Sequence, residues 1–175
     1  MLSSRYLKLL LLAFLFLSLI YDQATPTFEA SDEVWHYAVV RELTSGRGMP
    51  IWTAGEQTTF MQEGGQPPAY YFVSSVLTSW VDVSDFSHRF IYNPFARVGI
   101  PGTSSNVNMM AHSSIENFPW TGTTLAVRII RWTSIVMGAV TVLLTYVLAR
   151  ALFPRNPQVS LLAAGFTAFN PMFLF

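Results

Sequence analysis

Residues 132–149 run for 18 positions without a charge, between Arg131 and Arg150. As a helix this stretch is roughly 27 Å long, close to the thickness of a bilayer's hydrocarbon core. A chain with such a segment either buries it whole or gives it to lipid. Composition favours lipid. Only 11% of the residues are charged and 51% are hydrophobic, whereas soluble domains carry roughly 25% charged residues. This composition excludes a disordered chain and a basic nucleic-acid binder, so no nucleic-acid partner is expected. The chain has no cysteine, which removes disulfides and thiolate metal sites.

Three further apolar runs accompany the first. Residues 9–21 are apolar apart from Ser18, follow Arg5 and Lys8, and are closed by Asp22. With Tyr6 and Leu7 this gives about 15 apolar positions, where a crossing helix uses roughly 20. Both a signal peptide and a retained first membrane helix over 6–21 fit that pattern. Residues 69–81 follow Gln66-Pro67-Pro68 and are interspersed with Ser74, Ser75, Thr78 and Ser79. A helix over 68–81 is too short to cross and suits the interface, with Tyr70, Tyr71 and Trp80 at headgroup level. The last run covers 158–175, broken by Asn170-Pro171 and separated from the 132–149 run by Pro154-Arg155-Asn156-Pro157. The spacing predicts an antiparallel pair of membrane helices over 124–150 and 158–175. The chain stops within apolar Phe173-Leu174-Phe175, which is expected of the N-terminal part of a longer protein.

The zero net charge conceals a partition. Residues 1–21 carry +2, residues 22–116 carry −6, and residues 117–175 carry +4. By the positive-inside rule, Arg5 and Lys8 lie in the cytoplasm, as do Arg150 and Arg155. The acidic region 22–121 then lies outside. This predicts an all-α, multi-pass protein of the cell membrane with about three crossings and a cytoplasmic N-terminus. Membrane lipids are its first expected partner. Arg128 and Arg131 stand apart, because the rule does not call for arginines at an outer helix mouth. Snorkelling to lipid phosphates, an ion pair with the acidic region, and a phosphate clamp are all open to them.

In the outer region, Ser31 suits the N-cap of a helix over 32–44 that ends at Gly46 and Gly48. Asp32, Glu33 and His36 share one sector of that helix by their spacing. The plain reading is a capped, amphipathic surface helix. The sharper one is a carboxylate pair with an imidazole, able to act as a general base or to hold a divalent cation. Residues 82–121 form a long loop in which Asn106, Asn108 and His112 either line a site or simply face water. No phosphate loop and no nucleophile elbow is present.

Taken in order, these motifs resemble a known family. Ala30-Ser31-Asp32-Glu33-Val34-Trp35-His36-Tyr37 follows the first apolar run. Gly46-Arg47-Gly48-Met49-Pro50 and Gln66-Pro67-Pro68-Ala69-Tyr70-Tyr71 come next. Then come Arg128-Ile129-Ile130-Arg131, Tyr146-Val147-Leu148-Ala149-Arg150 and Ala168-Phe169-Asn170-Pro171. The series resembles the N-terminal part of membrane glycosyltransferases with the C-type fold, the protein O-mannosyltransferase and aminoarabinose-transferase group. The resemblance implies a polyprenyl-phosphate-linked sugar as donor partner and transfer on the outer face. It implies Asp32 as the catalytic carboxylate with Glu33 beside it, as base or as part of a divalent-cation site. His36, Gln66 and Tyr70 are the matching substrate-binding candidates, and Arg128 or Arg131 is a candidate for the lipid phosphate. The 82–121 segment has no counterpart in the simplest members. The helices completing such a site are expected in a C-terminal remainder or in other membrane subunits. A non-enzymatic membrane subunit or scaffold is the alternative. A transporter ranks below both, since Ser134, Thr141, Thr145 and Thr167 are the polar residues mid-membrane.

Overall fold

The computed structural model describes residues 2–51, 53, 55–102 and 105–174. The described residues form helices and connecting turns without a strand, apart from one isolated antiparallel bridge between Tyr92 and Met110. The helices are α1 (Leu2–Ala24), α2 (Glu33–Thr44), α3 (Ala69–Thr78), α4 (Phe86–Arg89), α5 (Gly122–Leu152), α6 (Pro157–Ala168) and α7 (Pro171–Leu174). Short 3₁₀ turns occupy Met61–Gly65 and Ser114–Glu116. The chain forms two compact units, one of Met1–Ala24 with Arg131–Phe175 and one of Thr25–Ile130.

In the first unit, α1 and α5 are long and apolar enough to cross a membrane. α1 has 23 residues and continues through Asp22, past the end expected at 21. No Gly or Pro interrupts it before Pro26. α5 has 31 residues and stops before Pro154. The run over 158–175 is divided rather than continuous. α6 has 12 residues, roughly 18 Å, short of a crossing. The chain then breaks at Phe169-Asn170, and α7 restarts with Phe173 and Leu174 N–H donating to Asn170 O. Phe175 lies outside the described residues. α6 and α7 pack on α1, and Val142 of α5 joins Phe14, Ala164 and Ala168 in the unit's core. Small residues make this close approach feasible. At Gly138 a Cβ would lie 2.9 Å from Phe14 Cζ. Leu12, Phe16, Val136, Leu144, Leu148 and Phe166 face outward. The unit thus leaves many large apolar groups outward while its helices meet around Phe14, Val142, Ala164 and Ala168.

The second unit is built the other way. Phe28, Val34, Tyr37, Phe86, Met110, Ala126 and Val127 form one core cluster, and Ala38, Val39, Val40, Phe60 and Tyr71 form another. α2 serves both, with its 3.6-residue period turning Val34, Tyr37 and Ala38 inward. Its start differs from expectation. The first helical residue is Glu33, and Asp32 rather than Ser31 takes the N-cap position. Asp32 is left-handed (φ 57°) and its side chain makes no cap hydrogen bond. Glu33 instead reaches back, its Oε2 accepting the Phe28 N–H at 2.8 Å. The far end is as expected, with left-handed Gly46 donating to Leu43 O.

The helix expected over 68–81 is shorter, Ala69–Thr78 behind Pro68. It is amphipathic in the unusual sense. Tyr71, Ser74, Ser75 and Thr78 are buried, while Phe72, Val73, Val76, Leu77 and Trp80 are exposed. The Ser75, Thr78, Ser79 and Trp80 side chains all donate to carbonyls three or four residues earlier. The outward face is therefore apolar, with its donors already satisfied.

The described residues of 82–121 are held by specific contacts. Asp85 caps α5, accepting the Thr123 N–H at 2.9 Å and its hydroxyl at 2.7 Å. Gly122 is required there, because φ is +58° and a Cβ would meet the Asp85 carboxylate at 2.4 Å. Burial pushes the Asp85 carboxyl up, but the Thr123 hydrogen bonds and Arg89 outweigh it, and the net shift is down. Residues 91–97 and 106–111 run side by side as a narrow ribbon, with Asn93 N–H donating to Met109 O, Arg97 N–H to Asn106 O and Ala111 N–H to Ile91 O.

Candidate functional site

Glu33 and His36 lie in the first turn of α2, and Asp32 stands at its N-cap position. Asp32 is exposed there, and its carbonyl accepts the N–H groups of Trp35 and His36. Glu33 is turned away toward Phe28, so the two adjacent carboxylates have separate surroundings.

One turn along, His36 meets two groups from other elements. Its Nδ1 lies 2.8 Å from the Tyr71 hydroxyl on α3 and 3.4 Å from Glu63 Oε2 in the 3₁₀ turn. The His36 and Tyr71 rings are stacked at 6.0 Å. The Glu63 side chain is only 5% exposed, and among the described residues its Oε2 has no hydrogen-bond partner. An unsatisfied buried carboxylate oxygen costs stability unless a proton or donor reaches it. Burial first, then the Glu63 charge and Tyr70, push the Tyr71 phenol up to about 12. Tyr71 therefore stays protonated at neutral pH. Its hydroxyl, the His36 Nδ1 and the buried Glu63 carboxylate form one polar cluster between α2, the 3₁₀ turn and α3.

Gln66 follows the same 3₁₀ turn, its N–H donating to Glu63 O, and its side chain is exposed. Tyr70 packs edge-on against Tyr71 at 5.7 Å. Four of the sequence candidates, His36, Glu33, Gln66 and Tyr70, thus lie on or next to the packed elements α2, Met61–Gly65 and α3, with Asp32 at the head of α2. Glu63 and Tyr71 were missed as functional groups. The available signal was Glu63 three residues before Gln66-Pro67-Pro68, where Pro68 starts a helix that carries Tyr71 back to α2.

The arginines have different settings. Arg128 is buried, with its guanidinium 5.2 Å from the Trp120 ring centroid in the second unit. Arg131 belongs to the first unit. It donates to Asp22 O at 3.1 Å and lies 3.5 Å from Asp22 Oδ1. The indole N–H of Trp132 also donates to Asp22 Oδ2. An ion pair, one of the roles left open above, occupies Arg131. Asn106 and Asn108 serve the ribbon, since the Asn93 amide donates to Asn106 Oδ1 and Asn108 O. Among the described residues no group of three or more His, Asp or Glu side chains is arranged to hold a metal ion. An open polar cleft of about 270 Å³ lies at the far end of α2, lined by Arg41, Thr44, Ser45, Arg47, Ser79 and Asp82 among others, and is separate from the Asp32 end.

No known family model, no characterised protein and no solved structure matches the chain.

Proposed function

We propose that this chain is the N-terminal portion of a membrane glycosyltransferase. It moves a sugar from a polyprenyl-phosphate donor to an acceptor on the outer face of the membrane. The observation that carries this reading is the His36–Tyr71–Glu63 cluster, assembled one turn from Asp32 by three elements. In the reaction the acceptor oxygen attacks the anomeric carbon and its proton passes to the Asp32 carboxylate. The bond from the anomeric carbon to the phosphate oxygen breaks, and its electron pair leaves with the lipid phosphate. His36, held by Tyr71 and Glu63, presents its imidazole one turn along from that carboxylate as a hydrogen-bonding group for the substrate. The motif order described above supports this assignment, with α1 entering from the cytoplasm and residues 25–130 outside. α6 and α7 together make the third, interrupted crossing, and the apolar face of α3 lies in the outer interface.

The test is transfer of radiolabelled hexose from polyprenyl-phosphate hexoses by membranes carrying the full-length protein. Asp32→Asn is expected to abolish transfer, about 10³-fold or more for the loss of a general base acting with its orienting charge, at unchanged membrane abundance. Undiminished transfer by this variant overturns the assignment.

A further inference from the structure

The sharpest unused chemistry lies at Glu29, three residues before Asp32. Its carboxylate accepts the N–H groups of Met109 (2.9 Å, Oε2) and Met110 (2.7 Å, Oε1). Oε1 also lies 2.9 Å from Nε2 of His112. The other ring nitrogen, Nδ1, is 3.0 Å and 3.1 Å from the two oxygens of Glu116. One imidazole therefore stands between two carboxylates, all three side chains at least four-fifths buried.

Glu29 sits between the two strained residues of the connection into α2. Phe28 and Asp32 are both left-handed, at φ 66° and 57°. Such a conformation is unfavourable for a bulky residue and persists only where surrounding contacts over-determine it. Phe28 is held by Glu33 and by its ring contacts with Tyr37 and Phe86. Glu29, next in the chain, is held by Met109, Met110 and His112.

We propose that residues 105–116 act as a strap that positions Asp32, fastened when protonated His112 bridges Glu29 and Glu116. Glu29 and His112 are positioning residues, and this role rests on the reading of Asp32 as the acceptor-activating carboxylate. A doubly protonated ring donates to both carboxylates. A neutral ring has one N–H, so one carboxylate must then face a nitrogen lone pair. Both Glu116 oxygens face Nδ1 and take the remaining N–H, so Glu29 faces the bare Nε2 lone pair and its hold on the two methionine amides weakens. Deprotonation therefore loosens the Glu29 side first.

Burial pushes His112 down, but the hydrogen bonds and charges of Glu116 and Glu29 outweigh it, and the net shift is up. These are the charged groups acting on it. The folded value is raised, so the fastening is complete below the unfolded value of roughly 6.5 and is lost as pH rises through the folded one.

The test is amide hydrogen exchange on the full chain in nanodiscs, as protection factors across pH. His112 ring titration is followed in parallel by NMR. Met109 and Met110 report the fastening, and the Trp35 and His36 amides, which donate to Asp32 O, report the positioning. Protection at all four is expected to fall about tenfold as His112 deprotonates. His112→Lys is expected to keep protection high across the range, and Glu116→Gln to move the midpoint to lower pH. His112→Phe is expected to hold protection low at every pH. Should that variant fail to fold, the Lys and Gln variants decide alone. Protection that is flat through the His112 midpoint overturns the strap. A fall at Met109 and Met110 without one at Trp35 and His36 overturns the positioning. If the parent protein transfers no sugar, the reading of Asp32 fails, while the exchange data still decide the fastening.

Discussion

The two units solve opposite packing problems with similar residues. In the first, most Leu, Ile, Val and Phe side chains face outward, and contact between helices runs through Phe14 and Val142 set against Gly138, Ser160, Ala164 and Ala168. In the second, Phe28, Tyr37, Phe86 and Met110 are inside, and the carboxylates of Glu29, Asp85 and Glu116 organise the loops. Water drives large apolar groups together, whereas lipid offers them no reason to leave the surface and close contact must come from small residues. α3 belongs to the second unit by its contacts but to the first by its face, with hydroxyls inside and aliphatic and aromatic groups outside.

The strongest way to break this contrast is at the buried ion pair of the first unit. Asp22 and Arg131 have side chains only 2% and 11% exposed. Asp22→Ala is expected to cost about 3–5 kcal/mol, because Arg131 is left uncompensated. Asp22→Leu with Arg131→Met is expected to recover most of it. Thermal unfolding in detergent compares the variants, and a single variant as stable as the parent would show the pair to be solvated. Next comes Gly122→Ala in the second unit. It combines a strained φ with collision against the capping Asp85 and is expected to cost about 3 kcal/mol. Its effect should be read in the exchange of the α5 N-terminal amides, not in the rest of that helix. Gly138→Ala tests the close packing of the first unit and is expected to cost about 2 kcal/mol through overpacking against Phe14. Phe14→Leu in the same chain should relieve it. The smallest change concerns α3. Val76 is 70% exposed, so Val76→Ser is expected to alter unfolding stability by less than about 0.5 kcal/mol. The same substitution should still weaken association with phosphatidylcholine vesicles if that face meets lipid. Acid sharpens the comparison further. The Asp85 carboxyl is lowered, so its cap is intact above the ordinary carboxylate value of roughly 3.9 and is lost as pH falls through the lower folded value. The α5 cap should therefore open in strong acid.

The apolar runs were legible because a membrane-length helix needs only composition and length. Residues 132–149 became the centre of α5, and residues 9–21 the centre of α1. The end of the second run and the division of the last were less legible. Asn170-Pro171 was visible as a break, but whether a helix crosses despite it depends on what α6 and α7 pack against. On α2 the apolar period and the glycine end were readable. The start was not, because Ser31 and Asp32 are both good caps by type. The choice between them was made by Glu33 reaching Phe28, five residues back.

What the sequence determined by itself was local. It set which segments are helical, which are apolar enough for lipid, where charge accumulates, and that Asp32, Glu33 and His36 share one helix start. These follow from spacing within a turn or two and from the sum of transfer free energies along a run. Only the tertiary structure brought Glu63 and Tyr71 to His36, Arg131 to Asp22, and His112 with Glu116 to Glu29. Those pairs are separated by 27 to 109 positions. No periodicity reaches so far, because such contacts depend on how buried faces pack and on which polar groups that packing leaves to be satisfied.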